Sequence, residues 1–116
     1  MPTQKNSIDK FIREVDFDKL YDLVATVIVD AEKGEVLMVG FMNEEALRKT
    51  LREGKVTFFS RTRQTLWTKG ETSGNFQFVK EIWIDCDNDT LLIKVEQVGN
   101  TCHTGQKTCF WKRWSP

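Results

Sequence analysis

The chain of 116 residues is long enough for one domain with a hydrophobic core, since 40% of its residues are hydrophobic. Its 17 Lys and Arg residues balance its 17 Asp and Glu residues, which argues against nucleic-acid binding through a general positive field. The sequence has no run of about 18 apolar residues and no signal-peptide core at its N-terminus. We therefore expect a cytoplasmic protein with neither nucleic acid nor membrane as a partner.

The first elements predicted are a polar arm and a β-hairpin. We assign residues 1–20 to the N-terminal arm and residues 21–116 to the single domain. Apolar and β-branched residues at 23–30 and 36–42 flank a turn that contains Gly34, a pattern typical of two strands joined by a turn.

One main helix is predicted after this hairpin. Asn43 is a residue type that commonly caps a helix N-terminus, and Gly54 is of the type that ends one. Strands are then predicted at 56–60 and 65–68, joined by the polar turn 61–64.

The rest of the chain is expected to be β-rich. An alternating pattern predicts a strand over 76–86, with one face formed by Phe76, Phe78, Ile82, Ile84 and Cys86. A turn at 87–89 leads into a strand at 91–98, and a last short strand is predicted at 110–114. The predicted fold class is mostly β (α+β), a partly closed mixed β-barrel with one main helix.

The soft metal ligands of the chain are three cysteines, Cys86, Cys102 and Cys109, and the single histidine, His103. A catalytic zinc takes three protein ligands and leaves its fourth position to water. The intervals of fifteen and six residues between the cysteines match no CxxC knuckle, and buried core thiols are an alternative. The polar residues around Cys102 and Cys109 favour metal ligands.

Three carboxylates, Asp85, Asp87 and Asp89, stand at alternating positions where a strand enters a turn. Oxygen ligands of this kind suit magnesium. An ordinary acidic turn is the alternative, and the residues alone favour it.

A basic segment, residues 60–75, reads SRTRQTLWTKGETSGN. Arginine binds phosphate in a bidentate manner, and glycine lets backbone N–H groups approach an anion. Neither a GxxxxGKS nor a GxGxxG pattern is present. The segment therefore suits a phosphorylated ligand other than a nucleoside triphosphate or dinucleotide, and a solvated basic loop is equally compatible.

In order along the chain, LWTKGETSGN, DCDNDTLLIKVEQ and GNTCHTGQKTCF resemble the phosphoribosyl-AMP cyclohydrolase family of histidine biosynthesis. The resemblance runs from about residue 23 to residue 110. It implies hydrolytic opening of the adenine ring of 1-(5-phosphoribosyl)-AMP to the formimino carboxamide ribonucleotide by one enzyme of a single activity.

The resemblance also implies the cofactors and the assembly. Zinc would be bound by Cys86 of one subunit and by Cys102 and Cys109 of the other, so that the active sites of an intertwined homodimer lie at its interface. Magnesium would be held by Asp85, Asp87 and Asp89. The substrate would be bound by Arg61, Arg63, Trp67, Lys69, Gly70, Glu71, Ser73 and Asn75.

A zinc ion with an open position would supply water activated near neutral pH, and His103 is the candidate to transfer protons. The HxE and PCxxC pair of zinc deaminases is absent, which favours ring opening over deamination. The alternative function is a small zinc-stabilised binding module without catalysis, in which His103 completes a closed metal site.

Overall fold

The computed structural model describes residues 2–116, and side chains from Lys5 onward. Its elements form one mixed four-stranded sheet, one two-stranded sheet and two helices. The elements are α1 (Pro2–Glu14), β1 (Val24–Asp30), β2 (Val36–Met42), α2 (Glu44–Glu53), β3 (Thr57–Ser60), β4 (Thr65–Thr68), β5 (Gln77–Ile84) and β6 (Thr90–Gln97). The predicted α+β class is confirmed.

The larger sheet has the strand order β2-β1-β6-β5. β1 is antiparallel to β2 and parallel to β6, while β5 and β6 are antiparallel. β2 and β5 are its two edge strands and do not pair with each other, so the predicted partly closed barrel is wrong. Four strands are too few to close around a packed interior, which takes about eight strands in small barrels.

The predicted main helix is confirmed as α2, and its ends show why it forms there. Asn43 Oδ1 accepts a 2.8 Å hydrogen bond from Ala46 N at the first turn. Gly54 ends the helix with φ of 75° and donates its backbone N–H to Thr50 O. Ala46, Leu47 and Thr50 are buried, so α2 packs one face on the core.

A second helix, α1, lies where a polar arm was predicted, and the expectation of one main helix is therefore incomplete. Ile8, Phe11, Ile12 and Val15 recur with helical spacing, and Ile12 and Val15 are buried in the core. Asp9 forms an ion pair with Arg48 of α2. The apolar stripe is narrow and its neighbours are polar, which is why composition alone suggested an arm.

Strand β5 contains a bulge that the alternating pattern did not predict. Val79 pairs with Val95 and Glu81 pairs with Lys94, so Lys80 is the extra residue. A bulge exchanges the faces of the residues that follow it. Gln77 and Val79 therefore lie on the same face of β5 as Ile82 and Ile84. The predicted grouping of Phe76 and Phe78 with Ile82 and Ile84 is wrong.

The last strand predicted, at 110–114, is also wrong, because these residues form no regular element. Phe110, Trp111 and Trp114 are exposed. Apolar residues favour a strand only where a sheet edge receives them. None of the described helices is both long enough and apolar enough to cross a membrane.

Candidate functional site

The residues after β6, which we call the cysteine loop (residues 99–109), fold back on themselves. Thr101 N donates to Lys107 O at 3.0 Å, and Cys102 N donates to Gln106 O at 3.1 Å. Cys109 N then donates to Leu37 O of edge strand β2 at 2.8 Å. These backbone contacts bring Cys102 and Cys109 together at one end of the larger sheet.

The two thiols of this loop differ in their electrostatics. Thr104 Oγ1 donates to Cys102 Sγ at 3.0 Å, and hydrogen bonds from the Thr104 side chain and backbone lower the pKa of Cys102 to about 7. Burial, together with the neighbouring Cys102, raises the pKa of the Cys109 thiol. This pair suits a soft metal, because the thiolate is the metal-binding form and Cys102 forms it near neutral pH. His103 is exposed beside the pair.

Cys86 is exposed and lies two residues after the C-terminal end of β5. Gln77, at the other end of this strand, pairs with Gln97 near the cysteine loop. At roughly 3.3 Å per residue, the strand separates Cys86 from that end by about 25 to 30 Å. One chain therefore brings two of the three predicted zinc ligands together and leaves Cys86 apart.

Asp85, Asp87 and Asp89 do converge, and their carboxylate oxygens lie within 4.8 Å of one another. Among the residues that the structure describes, this is the only group of three potential metal ligands at that spacing. Loss of water around Asp85 acts to raise its pKa, but the N–H groups of Asp89 and Thr90 that donate to its carboxylate lower it overall. Three carboxylates at this spacing suit a hard cation.

Lys19, which the sequence did not single out, extends into this group. Its Nζ lies 3.4 Å from Asp87 Oδ2 and 3.5 Å from Asp89 Oδ2, and it donates to Asp87 O at 3.0 Å. The backbone N–H of Asp16 donates to Asn88 O at 2.7 Å. The loop between α1 and β1 therefore places a cation of the chain itself at the acidic turn.

The basic segment forms a cavity of about 480 Å³. Six of the eight predicted substrate residues line it, namely Arg63, Trp67, Lys69, Gly70, Glu71 and Ser73. Arg61 instead stacks its guanidinium 3.9 Å from the centre of the Phe41 ring, and Asn75 donates to Asn100 O of the cysteine loop at 3.2 Å. The cavity and the cysteine loop are therefore neighbours.

Gly70 shows why this segment needs glycine. Its φ is +91°, and a Cβ there would lie 2.5 Å from Asn75 C and Phe76 N. A side chain would push apart the two sides of the turn that lines the cavity.

Three residues that contact the candidate site did not stand out in the sequence, namely Thr104, Gln97 and Lys19. Thr104 carried a usable signal, since a hydroxyl two residues after a cysteine can reach its sulfur in a tight turn. Gln97 lies only four residues before its partner Thr101, but its residue type gave no specific signal. Lys19 carried no signal because it reaches Asp87 across 68 residues of sequence.

Comparison with known proteins identifies close relatives. A family model described as phosphoribosyl-AMP cyclohydrolase matches residues 38–111. The phosphoribosyl-AMP cyclohydrolase of Clostridium botulinum is 53% identical over 105 residues, which cover 90% of this chain and 96% of that protein. That of Listeria innocua is 61% identical over 97 residues, 84% of this chain and 90% of that protein.

A further relative is the histidine biosynthesis bifunctional protein HisIE of Haemophilus influenzae. It is 57% identical over 105 residues, 90% of this chain and 48% of that protein. The chain therefore spans about half the length of this bifunctional relative.

Proposed function

The chain belongs to the phosphoribosyl-AMP cyclohydrolase family of histidine biosynthesis, and from that premise we propose that it is a zinc-dependent enzyme with active sites shared between two subunits. Its reaction would be the hydrolytic opening of the adenine ring of 1-(5-phosphoribosyl)-AMP. The observation that carries the zinc proposal is the convergence of Cys102 and Cys109 with the Cys102 pKa lowered to about 7. Family membership favours this enzyme over the non-catalytic binding module.

The donor set of the cysteine loop fits zinc. Cys102 is ready as a thiolate near neutral pH, and binding would displace the proton of Cys109, since metal ligation requires deprotonated sulfur. Cys86 would complete a three-thiolate set that leaves one position to water. A zinc ion bound there supplies Lewis acidity and an activated water at neutral pH.

The separation of the cysteines within one chain supports a site shared between subunits. Cys86 lies at the far end of β5 from the cysteine loop, too far for one ion to contact both. A homodimer related by two-fold symmetry would place Cys86 of each subunit beside Cys102 and Cys109 of the other, which generates two equivalent sites. The outer side of edge strand β5 is paired near its start, where Phe78 bridges Lys55. Its later residues, which lead to Cys86, have no further strand beside them among the described residues and could offer backbone groups to such an interface.

The acidic turn would bind the second metal. Asp85, Asp87 and Asp89 offer carboxylate oxygens at close spacing, the ligand type that magnesium prefers. Cys86 lies between Asp85 and Asp87 in sequence. If Cys86 reaches the zinc of the partner subunit, the magnesium site would therefore lie at the same interface.

The substrate would bind in the cavity of the basic segment. Arg63 offers a guanidinium for a phosphate, and Trp67 offers a ring face, already packed 5.2 Å from the Phe58 ring centre. The glycine turn at Gly70 leaves backbone N–H groups accessible to an anion. The neighbouring cysteine loop would then face the purine.

Proton transfer would fall to His103. Water adds its oxygen to carbon six of the purine, the bond to nitrogen one breaks, and that nitrogen gains a proton. His103 is exposed next to Cys102, where its imidazole can accept a proton from water and return it to the leaving nitrogen.

A turnover assay with 1-(5-phosphoribosyl)-AMP, followed by ultraviolet absorbance, tests the activity. We expect turnover that is lost on zinc chelation, restored by added zinc and absent in Cys102→Ser. A folded, zinc-loaded protein without turnover would support the binding module instead.

Subunit complementation tests the shared site. Cys86→Ser and Cys102→Ser homodimers should each be inactive, whereas their random mixture should recover about a quarter of wild-type activity, because half of its dimers hold one intact site of two. The control mixes Cys102→Ser with Cys109→Ser, which lie on the same loop and should not complement. Recovery in both mixtures, or in neither, would contradict sharing.

A further inference from the structure

We propose that Lys69 is a positioning residue that fastens the basic segment to the cysteine loop and so holds Cys102 and Cys109 ready for metal. This inference rests on the proposed zinc function and assigns Lys69 a role other than the phosphate contact expected from its sequence motif. Lys69 links the two loops through a contact between residues far apart in sequence.

The contact that carries the proposal joins Lys69 Nζ to Thr101 O at 2.6 Å. Both ends are anchored. The backbone N–H of Lys69 donates to Val56 O at 3.0 Å, and Thr101 is 1% exposed. A charged donor on a partly buried carbonyl is among the stronger hydrogen bonds in proteins, and it acts on the residue directly before Cys102.

A second set of contacts restrains Thr101 through its hydroxyl group. Gln97 Oε1 accepts from Thr101 Oγ1 at 2.9 Å and from Gln77 Nε2 at 2.8 Å. Gln77 is fully buried, so this amide pair ties Thr101 to the sheet. Lys69 and Gln97 thus fix the carbonyl and the hydroxyl of one residue.

The loops also meet at Asn75 and the start of the cysteine loop. Asn75 Nδ2 donates to Asn100 O at 3.2 Å. A Cβ on Gly99 would lie 2.7 Å from Asn75 Oδ1, so the Asn75 side chain packs directly against the backbone of Gly99. The cavity wall and the cysteine loop are therefore joined by several contacts, and Lys69 is the charged link between them.

The ammonium of Lys69 is consequently engaged by protein, whereas Arg63 lines the same cavity with an exposed side chain. Phosphate binding falls to Arg63 in this arrangement. Removing Lys69 should then loosen the metal ligands more than it weakens substrate binding.

The test compares Lys69→Met, Lys69→Arg and the exposed control Lys33→Met in the purified full chain. Zinc affinity is measured by competition with a chromogenic chelator in the absence of substrate. Lys69→Met should bind zinc about 10- to 100-fold more weakly, the usual effect of losing a residue that orients metal ligands. Lys69→Arg should recover part of the loss, and Lys33→Met should match the wild type.

Steady-state kinetics at saturating zinc supply the second measurement. The KM of Lys69→Met for 1-(5-phosphoribosyl)-AMP should stay within about threefold of the wild-type value, because uniform substrate binding is not lost. Unchanged zinc affinity with a strongly raised KM would overturn the proposal and make Lys69 a substrate ligand.

Hydrogen exchange of the metal-free protein separates this proposal from the zinc function. Faster exchange over residues 99–109 in Lys69→Met supports the link between the loops, even if the wild-type protein binds no zinc and the proposed function fails. Equal exchange in Lys69→Met and wild type would overturn the link, whatever the enzyme's metal.

Discussion

Thr104 Oγ1 donates a hydrogen bond to Cys102 Sγ across 3.0 Å. The hydroxyl stabilises the thiolate, and the pKa of Cys102 falls to about 7 as a result. Its neighbour Cys109 shows the opposite shift, since burial raises its pKa. The cysteine loop therefore holds one thiol that ionises near neutral pH and one that does not.

Thr104→Val should raise the pKa of Cys102 towards its ordinary value, because the variant keeps the shape of the side chain and loses the donor. The measurement is the alkylation rate of Cys102 against pH in metal-free protein, resolved by mass spectrometry. The midpoint should lie near pH 7 in wild type and higher in Thr104→Val. Thr104→Ser, which keeps the hydroxyl, is the matched control, and equal midpoints for all three proteins would contradict the assignment.

Lys19→Gln should strengthen magnesium binding at the acidic turn, because the Lys19 ammonium stands against Asp87 and Asp89. Removing a competing exposed cation should tighten binding by about two- to fivefold, and less at high salt because exposed charges are screened. Calorimetric titration at low ionic strength measures the change. Lys10→Gln on the exposed side of α1 should behave as wild type, whereas weaker binding in Lys19→Gln would make Lys19 a supporting residue.

Gly40→Ala should destabilise the fold, because a Cβ at Gly40 would lie 2.5 Å from Cδ1 and Cε1 of the Phe58 ring. Phe58 is 1% exposed and has little room to move, so overpacking should cost about 1 to 3 kcal/mol of unfolding free energy. Urea denaturation measures this value. In the background of Phe58→Leu the same substitution should cost clearly less, and strict additivity of the two substitutions would rule out the contact as the cause.

Asn43→Ala should reduce the free energy of unfolding by about 1 kcal/mol, since it leaves the Ala46 N–H without its capping oxygen. Asn43→Asp keeps an acceptor at the same place and should retain most of the stability. Both values come from urea denaturation. A loss as large in Asn43→Asp as in Asn43→Ala would show that the cap does not act through this bond.

Much of the local structure followed from the sequence. The β1–β2 hairpin, helix α2 and strands β3 and β4 were predicted nearly at their observed bounds, because turns, caps and apolar runs act over a few residues. The close approach of Asp85, Asp87 and Asp89 was also expected, since a tight turn returns the chain within that distance.

Tertiary structure decided the rest. Lys80 forms a bulge because β5 pairs with β6 in a particular register, and this extra residue exchanges the faces of the residues after it relative to those before it. The apolar residues of α1 have helical spacing, but only packing against α2 and the core makes them buried. Likewise the contact of Lys69 with Thr101 spans 32 residues. The sequence alone identified the side chains that could bind a metal or a phosphate, because ligand type is a property of each side chain. Only the tertiary structure determined which of them meet, because contacts between distant residues depend on strand order and register.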